Sequence, residues 1–329
     1  MSTGPAATDL LQAEEGGDLV AQEIGEKGVV ARSPLQLFWR RFRRDKVAMV
    51  ALGFIVVLVL IAVFAPLLVK LIGTPGPNVQ STTALDDFGL PLGPSSEHPL
   101  GVDQLGRDVL SRTIYGSRVS LQVALISTAL IVSIGTVAGM VAGFYRGWTD
   151  TLMSRFMDVM LAFPVLLLAL GLGAACSFGN GCLGGLIKPG LNVVIFVIVL
   201  AQWSYFARII RGQVLSLREK EFVEAARSIG ASNTRIIFRE ILPNLIAPII
   251  VYTTLIIPNN ILFEAALSFL GIGVPPDVPS WGGMISEATS LFPEAWWFML
   301  FPGLALLFTV LAFNLVGDGL QDALDPRRK

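Results

Sequence analysis

Charge is scarce in this sequence. Only 15% of its 329 residues are charged, whereas 53% are hydrophobic, and the mean hydropathy is +0.67. A soluble domain of this length needs more charge to cover its surface. The composition therefore excludes an ordinary soluble protein and indicates an integral membrane protein.

Residues and motifs that support catalysis are also few. The chain has one histidine and two cysteines, so we expect no structural metal site. H-E-x-x-H and G-x-S-x-G are both absent, which disfavours a membrane-embedded enzyme. The phosphate-cradling pattern G-x-x-x-x-G-K-[ST] is absent too. We expect no catalytic residue, cofactor or nucleic-acid partner, and any ATP that drives this protein must be bound by another polypeptide.

Long apolar windows are abundant. Six of them reach the roughly 20 residues that a helix needs to cross the bilayer core. They are 47–69, 119–144, 157–175, 191–210, 247–270 and 296–316. With six spans both termini lie on one side, which then carries 19 of the 24 Lys and Arg residues. The positive-inside rule places that side in the cytoplasm, so we predict an all-α membrane protein with six spans and cytoplasmic termini.

The segments outside these windows differ in composition. Residues 1–33 are acidic and Gly-rich, and they predict a disordered cytoplasmic tail with no cleavable signal. In 34–46, apolar residues alternate with arginines, which is typical of an interfacial helix or of a simple stop-transfer cluster. The longest polar connection, 70–118, is expected outside the cytoplasm, and 319–329 forms a cytoplasmic C-terminal tail.

The end of this connection, GVDQLGRDVLSRTIYGSRVSL, predicts a helix that approaches the second span. One interpretation is an amphipathic surface helix. Its apolar residues Leu105, Val109 and Ile114 would then face the membrane. Its charged residues Arg107, Asp108 and Arg112 would face water.

Small residues mark two further places. Gly135, Gly139 and Gly143 recur every fourth position in the second span, a spacing that lets another helix approach closely; glycines that are merely tolerated in a membrane helix are the alternative. Cys176 and Cys182, with five residues between them, flank a Gly-rich loop on the expected outer side. A disulfide is plausible there, and two free thiols are nearly as plausible.

The most polar stretch between two spans is 211–246, which contains EFVEAARSIGASNTRIIFREILPN. Ser216 and Glu219 fit the capping box S-x-x-E, which predicts a helix start. Apolar residues then recur at helical spacing and predict one apolar face. These residues are Phe222, Ala225, Ala226 and Ile229.

The same stretch carries signals for a second helix. Gly230 predicts the end of the first helix in a left-handed conformation, and Ser232 predicts the cap of the next. Pro243 predicts that a new element begins there. An apolar face on a solvent-side projection packs on the protein's own spans or docks into a groove on a partner.

Several motifs together resemble a known family. Glu224-Ala225-Ala226, Gly230 and Ile241-Leu242-Pro243 resemble the EAA signature of the membrane subunits of ABC importers. Four further segments resemble the dipeptide/oligopeptide/nickel permeases, specifically the C-type subunit. They are HPLGVDQLGRDVLSR (98–112), ALSFLGIGV (266–274), PSWG (279–282) and FNLVGDGLQDALDP (313–326). The resemblance covers nearly everything from about residue 35 to the end.

This resemblance implies a type I ABC importer permease fold, with the transmembrane domain at 119–318 and a coupling helix within 211–246. It implies a multi-pass protein of the bacterial cytoplasmic membrane, in contact with lipid, that imports peptides by alternating access. The implied partners are a homologous B-type permease, two ATPase subunits that bind ATP and Mg, and an extracytoplasmic binding protein. Nickel or another small solute is the alternative substrate, and an ATP-independent secondary transporter is the rival class.

Polar residues deep in a span are costly and usually face protein or a water-filled path. The candidates for the translocation path are Asn259, Asn260, Glu264 and Tyr205, with Gln202, Ser204 and Asp158 next. Asn260 and Glu264 share one helix face because they stand four residues apart. Hydrogen bonding between helices of the same chain is the alternative role for both.

Overall fold

A computed structural model describes residues 34–177 and 181–324. The predicted tails at 1–33 and, from residue 325, at the C-terminus lie outside the described residues, as does part of the cysteine loop. Within the described ranges the chain is helical, and its only strand-like pairings are isolated bridges. The predicted all-α membrane fold is confirmed.

Most helices coincide with a predicted window or extend beyond it, but the window 47–69 holds two helices that are divided at Phe64. We number them α1 (Pro34–Phe42), α2 (Lys46–Val63), α3 (Ala65–Ile72), α4 (Val109–Tyr145), α5 (Gly147–Ala162), α6 (Val165–Ser177), α7 (Leu191–Arg218), α8 (Glu221–Ser228), α9 (Asn233–Phe269), α10 (Trp281–Ala288) and α11 (Trp296–Leu324). The helical segment expected at 34–46 corresponds to α1. We call the end of the bundle that carries α1 and α8 the α8 end, and the opposite end, with the long connections, the loop end.

Among the described residues, five helices are long and apolar enough to cross a membrane, and a sixth crossing exists if the bent pair α5 and α6 counts as one. The window 157–175 is therefore not one continuous helix. The axes of α5 and α6 meet at 86°, with Phe163 extended just before Pro164. Proline cannot donate a backbone hydrogen bond and pushes the preceding residue out of the helical region, which explains the break.

The tightest helix pair is α4 with α7, and the predicted small-residue stripe lies between them. A Cβ at Gly135 would come within 2.8 Å of the Phe206 ring, and one at Gly139 within 2.5 Å of the Ala207 carbonyl oxygen. A Cβ at Gly143 would lie 2.8 Å from that of Val214. Only glycine permits this approach, so the stripe belongs to the packing within the chain.

The prediction of a surface helix with charges toward water is wrong at three positions. α4 begins at Val109, which is fully buried, and Arg107, Asp108 and Arg112 are buried as well. Asp108 is the N-cap: its Oδ1 accepts from the Ser111 N–H at 2.7 Å, and its Oδ2 pairs with His98 Nδ1 at 2.9 Å. The charged residues turn inward because partners meet them there: Asp103 and His98 from the preceding connection, and Glu287 from a distant part of the chain.

Candidate functional site

α8 is a short helix that projects between the ends of α7 and α9. The expected capping box at Ser216 is wrong, because α7 continues through Arg218 and α8 begins only at Glu221, after Lys220. α7 is held to this length by Arg218, whose guanidinium donates to the Phe144 carbonyl at the end of α4. This tertiary contact outweighs the local sequence signal for a helix start at Ser216.

The end of α8 matches the sequence prediction. Gly230 has φ +76°, its N–H donates to the Arg227 carbonyl at 2.9 Å, and the Ala231 N–H donates to the Ala226 carbonyl at 3.0 Å. These two bonds form a Schellman motif, which needs a left-handed residue and so favours glycine. Ser232 then caps the next helix by accepting from the Arg235 N–H.

The distribution of buried and exposed apolar residues on α8 differs from the single apolar face that the sequence predicts. Val223 and Ala226 are the residues buried against the chain. Phe222 is 38% exposed and Ile229 is 78% exposed, and Ala225 is exposed between them. The helix therefore packs on its own spans through one side and leaves a second apolar side uncovered.

The prediction that a new element starts at Pro243 is confirmed in part: an α-helical segment begins at Leu242 with Pro243 in its first turn, but the helix does not break there, because α9 runs on from Asn233. Its turns from Ile236 to Ile241 are π-helical and lead directly into the α-helical part at Leu242. Pro243 has no N–H to return to the preceding turn, and a π segment is one way for a helix to continue past such a gap. Ile236 and Ile241 are buried against the core, whereas Phe238 remains 58% exposed.

Ion pairs tie the base of this projection to the bundle. Arg211 of α7 binds Asp150 of α5 through two nitrogens, at 2.5 and 2.9 Å. Arg146 donates to Glu219 at 2.5 Å. The guanidinium of Arg227 lies 5.9 Å from the centre of the Phe144 ring. Arg227 therefore connects α8 to α4, and the two ion pairs join the end of α7 to α5 and to the turn between α4 and α5.

The four candidate path residues fall into two pairs. Asn260 is fully buried: it accepts from Gln202 at 2.9 Å and donates to Thr128 Oγ1 at 2.7 Å, joining α9 to α7 and α4. The Glu264 carboxylate is also fully buried. It accepts from Ser120 of α4 at 3.0 Å and from Ser268 at 2.8 Å.

Asn259 and Tyr205 face outward instead. Tyr205 is 59% exposed, and the exposed Asn259 donates back to the Leu255 carbonyl at 2.8 Å. Of the four candidates, these two are the ones on the surface of the isolated chain.

The loop end holds a buried ion cluster that sequence reasoning missed. Arg107 donates to Asp103 at 2.6 Å and to Glu287 at 2.7 Å, and Arg112 lies 3.4 Å and 3.5 Å from the same two carboxylates. Burial raises the pKa of Glu287, while Arg112 and then Arg107 oppose that rise. The cluster fastens the polar connection to α10.

Two tryptophan side chains add hydrogen bonds between distant segments at the loop end. The Trp281 ring nitrogen donates to the Thr113 carbonyl, and that of Trp297 to the Val102 carbonyl, both at 3.1 Å. A Cβ at Gly282 would lie 2.5 Å from the Ala265 Cα atom. The motifs HPLGVDQLGRDVLSR, ALSFLGIGV and PSWG therefore converge on one structural unit. The only indication of this contact in the sequence was that all three motifs occur in one chain.

Cys176, in the last turn of α6, and Cys182 are joined by a disulfide at the loop end. Cys182 also pairs through its backbone with Ile187, which forms a small hairpin. The two cysteines thus close the start of the connection between α6 and α7.

Comparison with known proteins identifies the fold and the family. The family described as "Binding-protein-dependent transport system inner membrane component" matches residues 135–329, more than half of the chain. A second family, "N-terminal TM domain of oligopeptide transport permease C", matches residues 33–85. This chain belongs to the C-type permeases of the ABC importers. It is a non-catalytic, multi-pass inner membrane component.

Two relatives cover almost the whole chain. The dipeptide transport system permease protein DppC of Alkalihalophilus pseudofirmus is 40% identical over 92% of this chain and 93% of its own length. The glutathione transport system permease protein GsiD of Pectobacterium atrosepticum is 42% identical over 93% of this chain and 95% of its own. The inward-facing MetNI methionine ABC transporter aligns with a TM-score of 0.55 at 16% identity, over 66% of this chain and 97% of the other, and this likeness concerns the fold.

Proposed function

We propose that this permease carries di- or oligopeptides into the cytoplasm by alternating access, driven by separate ATPase subunits that grip α8. The relatives that transport dipeptides and glutathione share one substrate chemistry, a short peptide with free termini, and this supports the peptide class. Nickel or another small solute is the second candidate within the same machinery. Substrate choice then rests largely on the separate binding protein.

The observation that carries the ATPase contact is the uncovered apolar side of α8. Phe222, Ala225 and Ile229 are exposed although the opposite side of the helix is already packed on the chain. An apolar patch on a short helical projection is suited to a groove on a partner. In this proposal that partner binds the ATP and Mg, since this chain carries no phosphate-cradling motif of its own.

A homologous B-type permease completes the proposed pathway. We place the path at the interface of the two permeases, where Tyr205 and Asn259 are exposed to contribute to it. Asn260 and Glu264 support the path from behind by fixing α4, α7 and α9 to one another. The binding protein delivers substrate at the loop end, whose ion cluster provides a rigid surface.

The test is to tag this chain, extract it gently from its native membrane and identify the co-purifying proteins by mass spectrometry. We expect a second permease and chains with phosphate-cradling motifs. A chain that emerges alone or as a homodimer, under conditions that preserve known complexes, contradicts the proposal. Uptake that survives ATP depletion would favour an ATP-independent transporter instead.

Two substitutions refine this test. Glu224→Lys reverses a charge on the exposed side of α8, and Gly230→Pro removes both the left-handed residue and its N–H. Both are expected to abolish transport while the protein still inserts in the membrane. Loss of either variant from the membrane would assign the stretch a role in folding rather than in coupling.

A further inference from the structure

An apolar groove runs along the outer surface of the bundle between α2 and α11. Its volume is about 430 Å³. Eight of its nine lining residues are apolar, and the ninth, Lys46, stands at the end where α2 begins. Val50 is 74% exposed and Val47 is 57% exposed, so the groove is open to whatever surrounds the chain in the membrane.

The length of the groove along α2 is close to the thickness of one membrane leaflet. From Lys46 to Phe54 the helix advances about 12 Å at 1.5 Å per residue. The bilayer core is about 30 Å thick, so one leaflet contributes about 15 Å. Farther along α2, Leu58 is buried in a cluster that includes Phe313 of α11, and Ala62 lines a separate cavity beside Leu121 of α4. The lining of the groove therefore ends at Phe54, about halfway along the 18 residues of α2.

Basic residues gather at the mouth of the groove. The segment that leads into α2 carries Arg40, Arg41, Arg43, Arg44 and Lys46, all exposed. α1 is pinned beside α11 by Phe42, which is 2% exposed and packs in a cluster with Ala323. The basic residues are thus held at the membrane boundary.

Acidic groups near this mouth are fewer. Among the residues that the structure describes, they are Asp45, Asp318 and Asp322. The Asp45 carboxylate is engaged as the N-cap of α2, accepting from Val47 N–H at 2.9 Å and Ala48 N–H at 3.1 Å. Arg41 and Asp322 each already have an interaction partner. The exposed Arg40, Arg43, Arg44 and Lys46 still outnumber Asp45 and Asp318, which leaves the mouth positively charged.

We propose that this groove is a binding site for an anionic phospholipid. One acyl chain lies along the apolar walls between Lys46 and Phe54, and the phosphate contacts Lys46 and its neighbouring arginines. Basic clusters at the membrane boundary attract anionic head groups with about 1 kcal/mol per residue. An uncharged apolar occupant would explain the walls but not the charge at one end, and a partner helix would be expected to extend past the middle of the bilayer.

The test uses the purified complex in nanodiscs made of equal parts of phosphatidylglycerol and phosphatidylethanolamine. Native mass spectrometry counts the lipids that remain bound after release. We expect phosphatidylglycerol to be enriched, and Lys46→Gln to lower that enrichment about fivefold, the loss of one contact of about 1 kcal/mol. Lys70→Gln is the matched control, since Lys70 is exposed at the other end of the same crossing, and it should leave the enrichment unchanged.

A second variant tests whether the apolar walls of the groove hold the lipid. Val50→Trp fills the groove without changing charge and should lower the count of both lipids. Enrichment that is equal in the parent and in Lys46→Gln overturns the proposal, as does a lipid count that Val50→Trp leaves unchanged. Loss of the second permease from the Val50→Trp complex would also overturn it, because a polypeptide would then be the occupant.

Discussion

The two ends of this molecule differ in how completely contacts within the chain satisfy their side chains. At the loop end, Arg107 and Arg112 are buried and share the carboxylates of Asp103 and Glu287. At the α8 end, Phe222 and Ile229 are left exposed on a helix of eight residues. The loop end satisfies its polar groups within the chain, whereas the α8 end presents apolar surface that another molecule has to cover.

This difference indicates where movement and rigidity are needed. A buried, mutually satisfied ion cluster holds one geometry, because removal of any member leaves an uncompensated charge. A short helix with few contacts is easily displaced and gains order from its partner. The proposed function accordingly assigns a rigid surface to the loop end and an adjustable partner contact to the α8 end, a division that the following substitutions test.

The largest effect is expected at the loop end. Arg112→Ala leaves Glu287 and Asp103 with one cation fewer in a buried site, and removing one partner from such a cluster typically costs 3–5 kcal/mol. The melting temperature in detergent should fall strongly. Arg118→Ala is the matched control on the same helix, because Arg118 is exposed. Equal melting temperatures for the two variants would show that the cluster does not hold the loop end together.

The next largest effect on stability is expected at the interface between α4 and α7. Gly139→Ala places a Cβ 2.5 Å from the Ala207 carbonyl oxygen, and overpacking of this kind costs about 1–3 kcal/mol. Gly212→Ala on the facing helix meets nothing within 4 Å and serves as the control. Unfolding in denaturant should separate the two variants. A Gly139→Ala protein as stable as Gly212→Ala would mean that α4 and α7 tolerate a wider spacing.

A smaller effect is expected where α8 ends. Gly230→Ala forces a residue with a Cβ into φ +76°, which costs about 1–2 kcal/mol locally. Because no other atom lies within 4 Å of the added Cβ, the penalty is confined to the turn. Transport should weaken more than the melting temperature, as measured on one reconstituted preparation. Parallel losses of both would place the turn in the folding core instead.

The smallest effect on stability is expected on the exposed side of α8. Ile229→Asp changes a side chain that is 78% exposed, so the free energy of unfolding should stay within about 0.5 kcal/mol. Co-purification of the ATPase subunits should nevertheless be lost. Lys220→Asp, just before the helix, changes the charge without touching the apolar patch and should retain them. ATPase retention by Ile229→Asp would remove the patch from the contact.

Local signals in the sequence predicted local structure well. Gly230 and Ser232 were identified because a Schellman glycine and a serine cap depend only on residues within one turn. The stripe Gly135, Gly139 and Gly143 was readable for the same reason, although its partner helix was not. The family motifs determined the fold class before any geometry was known.

Predictions failed where distant residues decide the outcome. Ser216 carries a start signal, but α7 runs past it because Arg218 reaches the end of α4. Arg107 and Arg112 were assigned to water because the segment has the pattern of an amphipathic surface helix, and one nearby carboxylate, Asp103, cannot by itself indicate burial of two arginines. Their partner Glu287 lies 180 residues after Arg107 and 175 after Arg112, and no periodicity within one segment can reveal such a pair.

The central claim, that a separate ATPase subunit holds the exposed side of α8, is tested most directly by photo-cross-linking in the assembled complex. A benzophenone amino acid is placed at Ile229, with Val223, which is fully buried on the opposite side, as the control position. We expect the Ile229 probe to join this chain to the ATPase polypeptide and the Val223 probe to react only within this chain. An Ile229 probe that reacts with lipid or with this chain alone would contradict the claim.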